Sequence, residues 1–215
     1  WRITDDRWDD IYRSIEGLWL FNEGTGSLVA DASGHGRHGT RGGTPVWTPT
    51  WCGGGLNPNG AGYVTIPPLV LGAGPFTLLY RAAANVAAMA GTLARMVSGG
   101  YVGAGEWFLR RMTGPDGTWG FYGDGGAIWA SSNTFLPSAS TSYVCVRQAS
   151  AITLYQNGTA VGSDGTAGSN LTYPGVIYIG AHTSGNLAWS GAIDYVAIWS
   201  RALSASEVRR LHEQP

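Results

Sequence analysis

The chain contains no lysine, since all 13 of its basic residues are arginines. It therefore lacks the residue that binds phosphate in P-loop proteins, forms Schiff bases, or pairs with glutamate in kinases. Charged residues of either sign are scarce, at 13% of 215 residues, and the net charge is −1. Such a chain offers nucleic acid no basic surface from which counterions could be released. These scarcities exclude several enzyme classes and predict that the protein does not bind nucleic acid.

Long apolar runs are also missing, and cysteines are few. The least charged stretch, residues 82–94, is too short for the roughly 18 apolar residues of a membrane helix, so we expect no membrane insertion. The chain begins at Trp1 without a basic and then apolar segment, so a signal peptide is absent or was removed. Cys52 and Cys145 are either two buried thiols or one disulfide, and the sequence leaves both alternatives open.

Glycine, in contrast, is abundant, with 34 residues, about twice the share of an average protein. Most of the chain consists of short apolar and β-branched runs separated by glycine-rich turns, without alternating helices, which is typical of a β-sandwich or barrel. The clearest turn is Asn157-Gly158, a pair that tolerates the two positive φ angles of a type I′ hairpin. We predict an all-β fold.

A short helix is predicted at each end of the chain. Apolar residues near the N-terminus recur at helical spacing: Trp8, Ile11, Tyr12 and Ile15. Ser204 and Glu207 fit a capping box at the start of a C-terminal helix. We therefore predict an N-terminal helical segment, residues 1–16, followed by one domain, residues 17–215. Trp8, Ile11 and Tyr12 either pack on their own domain or dock on a partner.

Several segments, in order, resemble the laminin-G-like domains of the concanavalin A-like lectin/glucanase superfamily, in its bacterial or phage type, with pentraxins as distant relatives. The similar segments are residues 17–26, 29–40, 62–67, 75–78, 154–158 and 191–204, with Glu207 behind them. The resemblance implies a jelly-roll β-sandwich of two antiparallel sheets. It does not imply one function, because this fold carries lectins, glycosidases, adhesins and spacers.

Catalysis is the least favoured of these functions. The glucanases of the superfamily carry their carboxylates on one strand as Glu-x-Asp-x-Glu, whereas no glutamate here has an aspartate two residues later. No serine has glycine at both −2 and +2, so a nucleophile elbow is missing as well. We predict that the protein is not an enzyme, and we rank a glycoside hydrolase below the binding functions.

The loop after residue 30 is a candidate metal site. Asp31 and Ser33 offer side-chain oxygens at positions 1 and 3 of a calcium-like loop, and Arg37 at position 7 offers a backbone carbonyl. In the family, the aspartate of the final strand, here Asp194, lies close to this loop, where calcium joins the two chain ends. The alternative is an Asx-turn, in which Asp31 accepts hydrogen bonds from its own backbone.

Aromatic residues are the candidate ligand-binding groups, since sugars stack on exposed rings. Trp119, Tyr122 and Trp129 lie in a glycine-rich, sparsely charged stretch and are our candidate platform. Three other tryptophans lie in apolar runs and are predicted to be core: Trp19, Trp107 and Trp199.

Together these observations predict a non-catalytic, lectin-like module that binds a glycan or a surface protein outside the cell. The alternative is a structural or accessory protein of a virion or cell surface, such as a phage decoration or tail-fibre domain, working in a homo-oligomer or capsid. The N-terminal segment separates the two interpretations. Docking of Trp8, Ile11 and Tyr12 on another chain would favour the accessory role, and inward packing would favour the lectin-like role.

Overall fold

The computed structural model describes residues 10–85, 87–89, 93–100, 106–112, 118–123, 127–132, 140–149, 151–164, 171–182 and 186–213. These residues form sixteen strands, a short 3-10 turn at Ala87–Met89 and one C-terminal helix, α1, at Ala205–Glu213; residues 10–12 are also helical. The strands are β1 Ile15–Trp19, β2 Leu28–Val29, β3 Gly39–Gly42, β4 Val46–Thr50, β5 Gly53–Asn57, β6 Tyr63–Ile66, β7 Phe76–Ala82, β8 Arg95–Gly99, β9 Trp107–Arg111, β10 Trp119–Gly123, β11 Ala127–Ser132, β12 Thr141–Gln148, β13 Ala151–Gln156, β14 Thr159–Asp164, β15 Ile177–Ile179 and β16 Ile193–Trp199.

The strands form two sheets of eight. Sheet A has the order β14-β13-β12-β7-β16-β5-β4, with β1 paired to β16, and sheet B has the order β11-β10-β9-β8-β15-β6-β3-β2. Every strand pair is antiparallel. The predicted jelly-roll sandwich of two antiparallel sheets is confirmed.

One face of each sheet is turned to the other, and the main core lies between them. Trp19 and Trp107 are fully buried there, as the sequence predicts. The Asn157-Gly158 turn joins β13 to β14 with φ angles of 51° and 76°, so the predicted type I′ geometry is confirmed. The sequence thus places both the core tryptophans and the hairpin correctly.

A second apolar cluster covers the outer face of sheet A. On β7, Leu78 faces the main core and Leu79 faces this cluster, which explains why all seven residues of the strand are buried. Trp199 also belongs to the outer cluster, and Val208 and Leu211 of α1 pack on it. The helix begins with the predicted capping box, in which the Glu207 amide donates to Ser204 Oγ and the Ser204 amide donates to the Glu207 carboxylate.

The N-terminal segment packs on its own domain. Ile11 is 0% exposed within the outer cluster, and Tyr12 packs against the same cluster. Trp199 Nε1 donates to the Ile11 carbonyl at 2.7 Å, and Arg201 Nε donates to Ser14 Oγ at 2.7 Å. The docking role predicted for Ile11 is therefore wrong, because its side chain is buried in the apolar face of its own sheet A. Tyr12 is likewise held against that face.

The predicted boundary between residues 1–16 and 17–215 falls inside β1. Trp8 lies outside the described residues, so its predicted docking role stays a prediction. Both cysteines are free; Cys145 lies buried in a strand as expected, whereas Cys52 is exposed. Among the described residues, no helix is long and apolar enough to span a membrane.

Candidate functional site on the outer face of sheet B

The three aromatic residues of the predicted platform do not form an exposed surface. Trp119 is 0% exposed in the main core, where its Nε1 donates to Gln156 Oε1 at 2.9 Å. Tyr122 points to the other side of β10, yet it too is 0% exposed. The ligand-stacking role predicted for Trp119 is wrong because alternation along β10 turns this side chain inward. Tyr122 lacks the exposed ring face that stacking requires, and the side chain of Trp129 lies outside the described part of the chain.

The outer face of sheet B nevertheless carries an aromatic row. Cross-strand pairing aligns one residue from each of five adjacent strands, from β6 to β10: Thr65, Tyr178, Ser98, Phe108 and Tyr122. With strands about 4.8 Å apart, this row is about 19 Å long. We call these five residues, with Tyr63 beside Thr65 on β6, the aromatic row.

At one end of the row, Tyr63 and Tyr178 form a partly exposed pair. Their ring centroids are 5.5 Å apart and the rings are tilted by 54°. A Cβ at Gly42, the residue paired with Tyr63 on β3, would lie 2.3 Å from the Tyr63 ring. The ring therefore lies along the sheet over a position that only glycine leaves open. Among the described members of the aromatic row, this pair is the accessible aromatic surface.

At the other end, two arginines lie on the buried rings. Phe108 and Tyr122 are stacked with centroids 5.0 Å apart, and the Arg95 guanidinium lies 3.4 Å from the Phe108 centroid. The Arg110 guanidinium lies 3.9 Å from the Tyr122 centroid. A β-bulge between Arg95 and Val97 turns Arg95 outward with Ser98 while Met96 and Val97 face the core. Both cations are thus held against aromatic faces.

At the arginine end of the row, burial and neighbouring charges lower the pKa values of Arg95 and His182. Burial, reinforced by the charge of Arg110, lowers the pKa of Arg95 to about 10, and Glu106 opposes this shift. His182 lies 4.0 Å from Glu106, and burial together with Arg95 lowers its pKa. His182 is therefore mainly neutral at neutral pH. Glu106 therefore acts on both Arg95 and His182.

The Asp31 loop has the geometry of the Asx-turn alternative. One carboxylate oxygen accepts hydrogen bonds from the amides of Leu18 at 3.0 Å and Ser33 at 2.9 Å, and the other accepts from the amide of Arg37 at 2.9 Å. Burial opposes ionisation, but the hydrogen bonds from Ser33, Leu18 and Arg37 together lower the pKa of Asp31. The carboxylate is stabilised as an anion by backbone amides.

The other predicted metal ligands point elsewhere. The Arg37 carbonyl accepts a hydrogen bond from Trp19 Nε1 at 2.9 Å, and Asp194 faces Arg81 at 3.9 Å and accepts a hydrogen bond from Ser140. Within the described ranges, no three His, Cys, Asp or Glu side chains cluster in a way that could hold a metal ion. The donors present fit a calcium shell of six to eight oxygens poorly. Calcium at this loop stays a prediction.

Two other surfaces are weaker candidates than the aromatic row. A pocket of about 340 Å³ is lined by the Glu16–Arg37 pair, Leu69, Val70 and Trp199 among others, but its charged pair is already matched. Trp51, at 62% exposure, lies at the β4–β5 turn with the Arg81 guanidinium 4.7 Å from its ring centroid. Among the described residues no aromatic ring packs on Trp51, so the aromatic row is the better candidate site.

The sandwich and its matched sequence define the class of the protein. A profile of the concanavalin A-like lectin/glucanases superfamily, of the laminin-G type, matches residues 58–209, and the chain belongs to this family. No curated protein matches the chain in sequence.

Solved structures share the fold at low sequence identity. The binding domain of Paraclostridial Mosquitocidal Protein 1 has a TM-score of 0.74 and 15% identity, covering 94% of this chain, which spans 52% of that one. Domain 4 of AbnA, a GH43 extracellular arabinanase from Geobacillus stearothermophilus in complex with arabinotriose, has a TM-score of 0.69 and 16% identity over 93% of this chain and 98% of its own. Trypanosoma rangeli sialidase in complex with sialic acid has a TM-score of 0.67 and 17% identity over 93% of this chain and 32% of its own.

The residues of the aromatic row carried little signal in the sequence. Tyr63 and Tyr178 lie far apart in the chain and meet only because β6 pairs with β15. Arg95 and Arg110 are aligned by the β8–β9 register and the bulge at Arg95. Alternation within β6 identifies Tyr63 as outward-facing, but only the sheet order reveals its partner.

Proposed function

We propose that the protein is a non-catalytic carbohydrate-binding module that binds glycans on the outer face of sheet B. The observation that carries this proposal is the partly exposed Tyr63–Tyr178 pair at the accessible end of the aromatic row. Aromatic rings lying along a sheet offer π-faces to the CH groups of sugars, and Thr65 adds a hydroxyl beside them. The centroids of the Tyr63 and Tyr178 rings are 5.5 Å apart, so both rings can contact one glycan.

The similar structures support a binding function of this kind. Among them are the arabinotriose complex of the arabinanase domain and the sialic acid complex of the sialidase. Since the arabinanase is extracellular and this chain matches almost all of its domain 4, we place the action of the protein outside the cell. Absence of catalysis is part of the proposal, because Glu106, the carboxylate near the row, faces His182 rather than a second carboxylate.

One argument for the accessory role at a virion or cell surface no longer holds. It depended on an N-terminal face free to dock, and Ile11 is instead buried against sheet A. This inward packing favours the lectin-like role. Assembly into a homo-oligomer or capsid stays a prediction that rests on Trp8, which lies outside the described residues.

A glycan array followed by titration calorimetry tests the proposal. For the best glycan, Tyr178→Ala and Tyr63→Ala should each weaken binding by about tenfold or more, which corresponds to about 1.4 kcal/mol. Tyr178→Phe keeps the ring and should bind nearly as well as the native protein. Both tyrosines are partly exposed, so circular dichroism should show folded variants.

Trp51→Ala is the matched control, because it removes a more exposed aromatic side chain away from the row. It should leave binding unchanged. If Trp51→Ala abolishes binding and the tyrosine variants do not, the site lies at the β4–β5 turn. If no glycan binds, the carbohydrate-binding function is wrong.

A further inference from the structure

The arginine end of the aromatic row places two like charges at directly paired positions. Arg95 on β8 is opposite Arg110 on β9, and Arg110 is in turn opposite Gly120 on β10, which has no side chain to pair with it. Like charges directly opposite each other in a sheet are destabilising. The aromatic rings beneath offset part of this repulsion but supply no negative charge.

Several donors at this end have nothing to bind. Among the residues that the structure describes, Arg95 Nε and Nη1, Arg110 Nε and the Tyr122 hydroxyl are buried and make no hydrogen bond. Arg95 is only 6% exposed and Tyr122 is 0% exposed, so bulk water does not substitute for a partner. A buried polar group without a partner is costly, and these groups share a need for an acceptor.

Among the residues that the structure describes, the local charge is unbalanced in the same direction. Arg95 and Arg110 bring two positive charges, and Glu106 is the described carboxylate that acts on Arg95. Glu106 is also close to His182, which is mainly neutral. Buried charges in proteins are ordinarily paired. One more anion, rich in oxygen acceptors, would balance the charge and satisfy the donors together.

We propose that Arg95 and Arg110 bind an anionic substituent, a carboxylate or a sulfate, of the glycan held on the aromatic row. This inference rests on the proposed function and specifies its ligand class as acidic glycans. A guanidinium group matches the paired oxygens of a carboxylate or sulfate. Arg110 is partly exposed and is the contact open to solvent, and Tyr178 lies two strands away, at about 12 Å between backbone positions, to bind a sugar ring.

Binding to matched pairs of charged and neutral glycans tests the inference. The pairs are oligogalacturonate against its carboxyl-reduced form, sialyllactose against lactose, and a sulfated galactan against its desulfated form. The native protein should bind the charged member of at least one pair about tenfold more tightly, as charge-assisted hydrogen bonds imply. Preference among the charged members distinguishes a carboxylate from a sulfate.

Substitutions of single arginines test whether Arg110 is responsible for the preference for charged glycans. Arg110→Gln should remove the preference for the charged member while leaving the neutral member bound as before, and Arg110→Lys should restore part of it. Arg13→Gln is the control, because this arginine is largely exposed and lies in the N-terminal segment near sheet A. Equal affinity for charged and neutral members in every pair, with binding still dependent on Tyr178, overturns the acidic-ligand inference and leaves the glycan-binding function standing.

Inorganic sulfate provides a readout that does not require a glycan. At matched ionic strength, exchange of chloride for sulfate should raise the Tm of the native protein more than that of Arg110→Gln, because general salt effects are common to both. Equal shifts in the two proteins contradict an anion site. If no glycan binds but the sulfate effect depends on Arg110, the anion site stands and the glycan-binding function fails.

Discussion

The outer faces of the two sheets differ in how their polar groups are satisfied. On sheet A, α1 and residues 10–15 cover an apolar cluster, and buried polar side chains such as Thr77 and Arg81 have hydrogen-bond partners. On sheet B, the aromatic row runs from a partly exposed tyrosine pair to two arginines with unpartnered donors. The same sandwich thus has one face completed by its own chain and one face whose donors lack acceptors.

This difference supports our proposal that the outer face of sheet A serves stability and that of sheet B serves binding. Native proteins satisfy nearly all of their buried polar groups, so a concentration of unsatisfied donors needs a physical reason. Sheet A shows that this chain can satisfy even a buried arginine, since Arg81 donates to Ser140 and to the His212 carbonyl. The unsatisfied donors of Arg95 and Arg110 therefore support the anion site that we propose. Mutations on the two faces should therefore change the free energy of unfolding by different amounts and in different directions.

The largest effect is expected on sheet A. Trp199→Ala should destabilise the protein by about 3–5 kcal/mol, because it leaves a cavity in the outer cluster and removes the hydrogen bond to the Ile11 carbonyl. Chemical denaturation measures the change in the free energy of unfolding.

Tyr178→Ala on sheet B is the comparison variant for Trp199→Ala. It removes a partly exposed ring and should cost much less stability while removing glycan binding. Equal destabilisation by the two variants would contradict the division between a structural and a binding face.

Local sequence signals predicted the structural parts of this comparison well. Asn157-Gly158 and the Ser204–Glu207 capping box each depend on neighbouring residues, and both are confirmed. The binding face could not be predicted in the same way. All five residues of β10 are buried. The strand therefore lacks an alternation of buried and exposed residues that would assign Tyr122 to one side. The alignment of Arg95 with Arg110 also requires a β-bulge, which no local sequence pattern predicts.

An intermediate effect is expected where the two sheets are joined. Asp31 forms a bridge with Trp19 of β1 in sheet A and follows β2 of sheet B closely in the chain. Asp31→Asn should cost about 1.5–3 kcal/mol, because the amide group cannot accept all three backbone hydrogen bonds. Denaturation of the native protein and the variant measures this cost.

A chelator separates the turn from a metal site at the same position. If Asp31 is satisfied by amides alone, EDTA should leave the Tm of the native protein unchanged. A fall in Tm on chelation that calcium reverses and Asp31→Asn abolishes would establish the predicted ion. The stability of the junction between the two sheets would then depend on a bound calcium ion.

The smallest change in stability is expected for Tyr122→Phe. Its sign distinguishes a buried hydroxyl without a partner from one that is hydrogen-bonded. Tyr122→Phe removes a buried hydroxyl that makes no hydrogen bond and should stabilise the ligand-free protein by up to about 1 kcal/mol. Tyr143→Phe is the control for a hydrogen-bonded hydroxyl, since Tyr143 of sheet A is equally buried, in the main core, and its hydroxyl is hydrogen-bonded to Thr141. This variant should lose about 1 kcal/mol. If Tyr122→Phe also weakens binding of an acidic glycan, the hydroxyl serves the ligand at a cost to the free protein. A loss of stability in both variants would show that Tyr122 has a structural partner, and the argument from unsatisfied donors would then rest on the arginines alone.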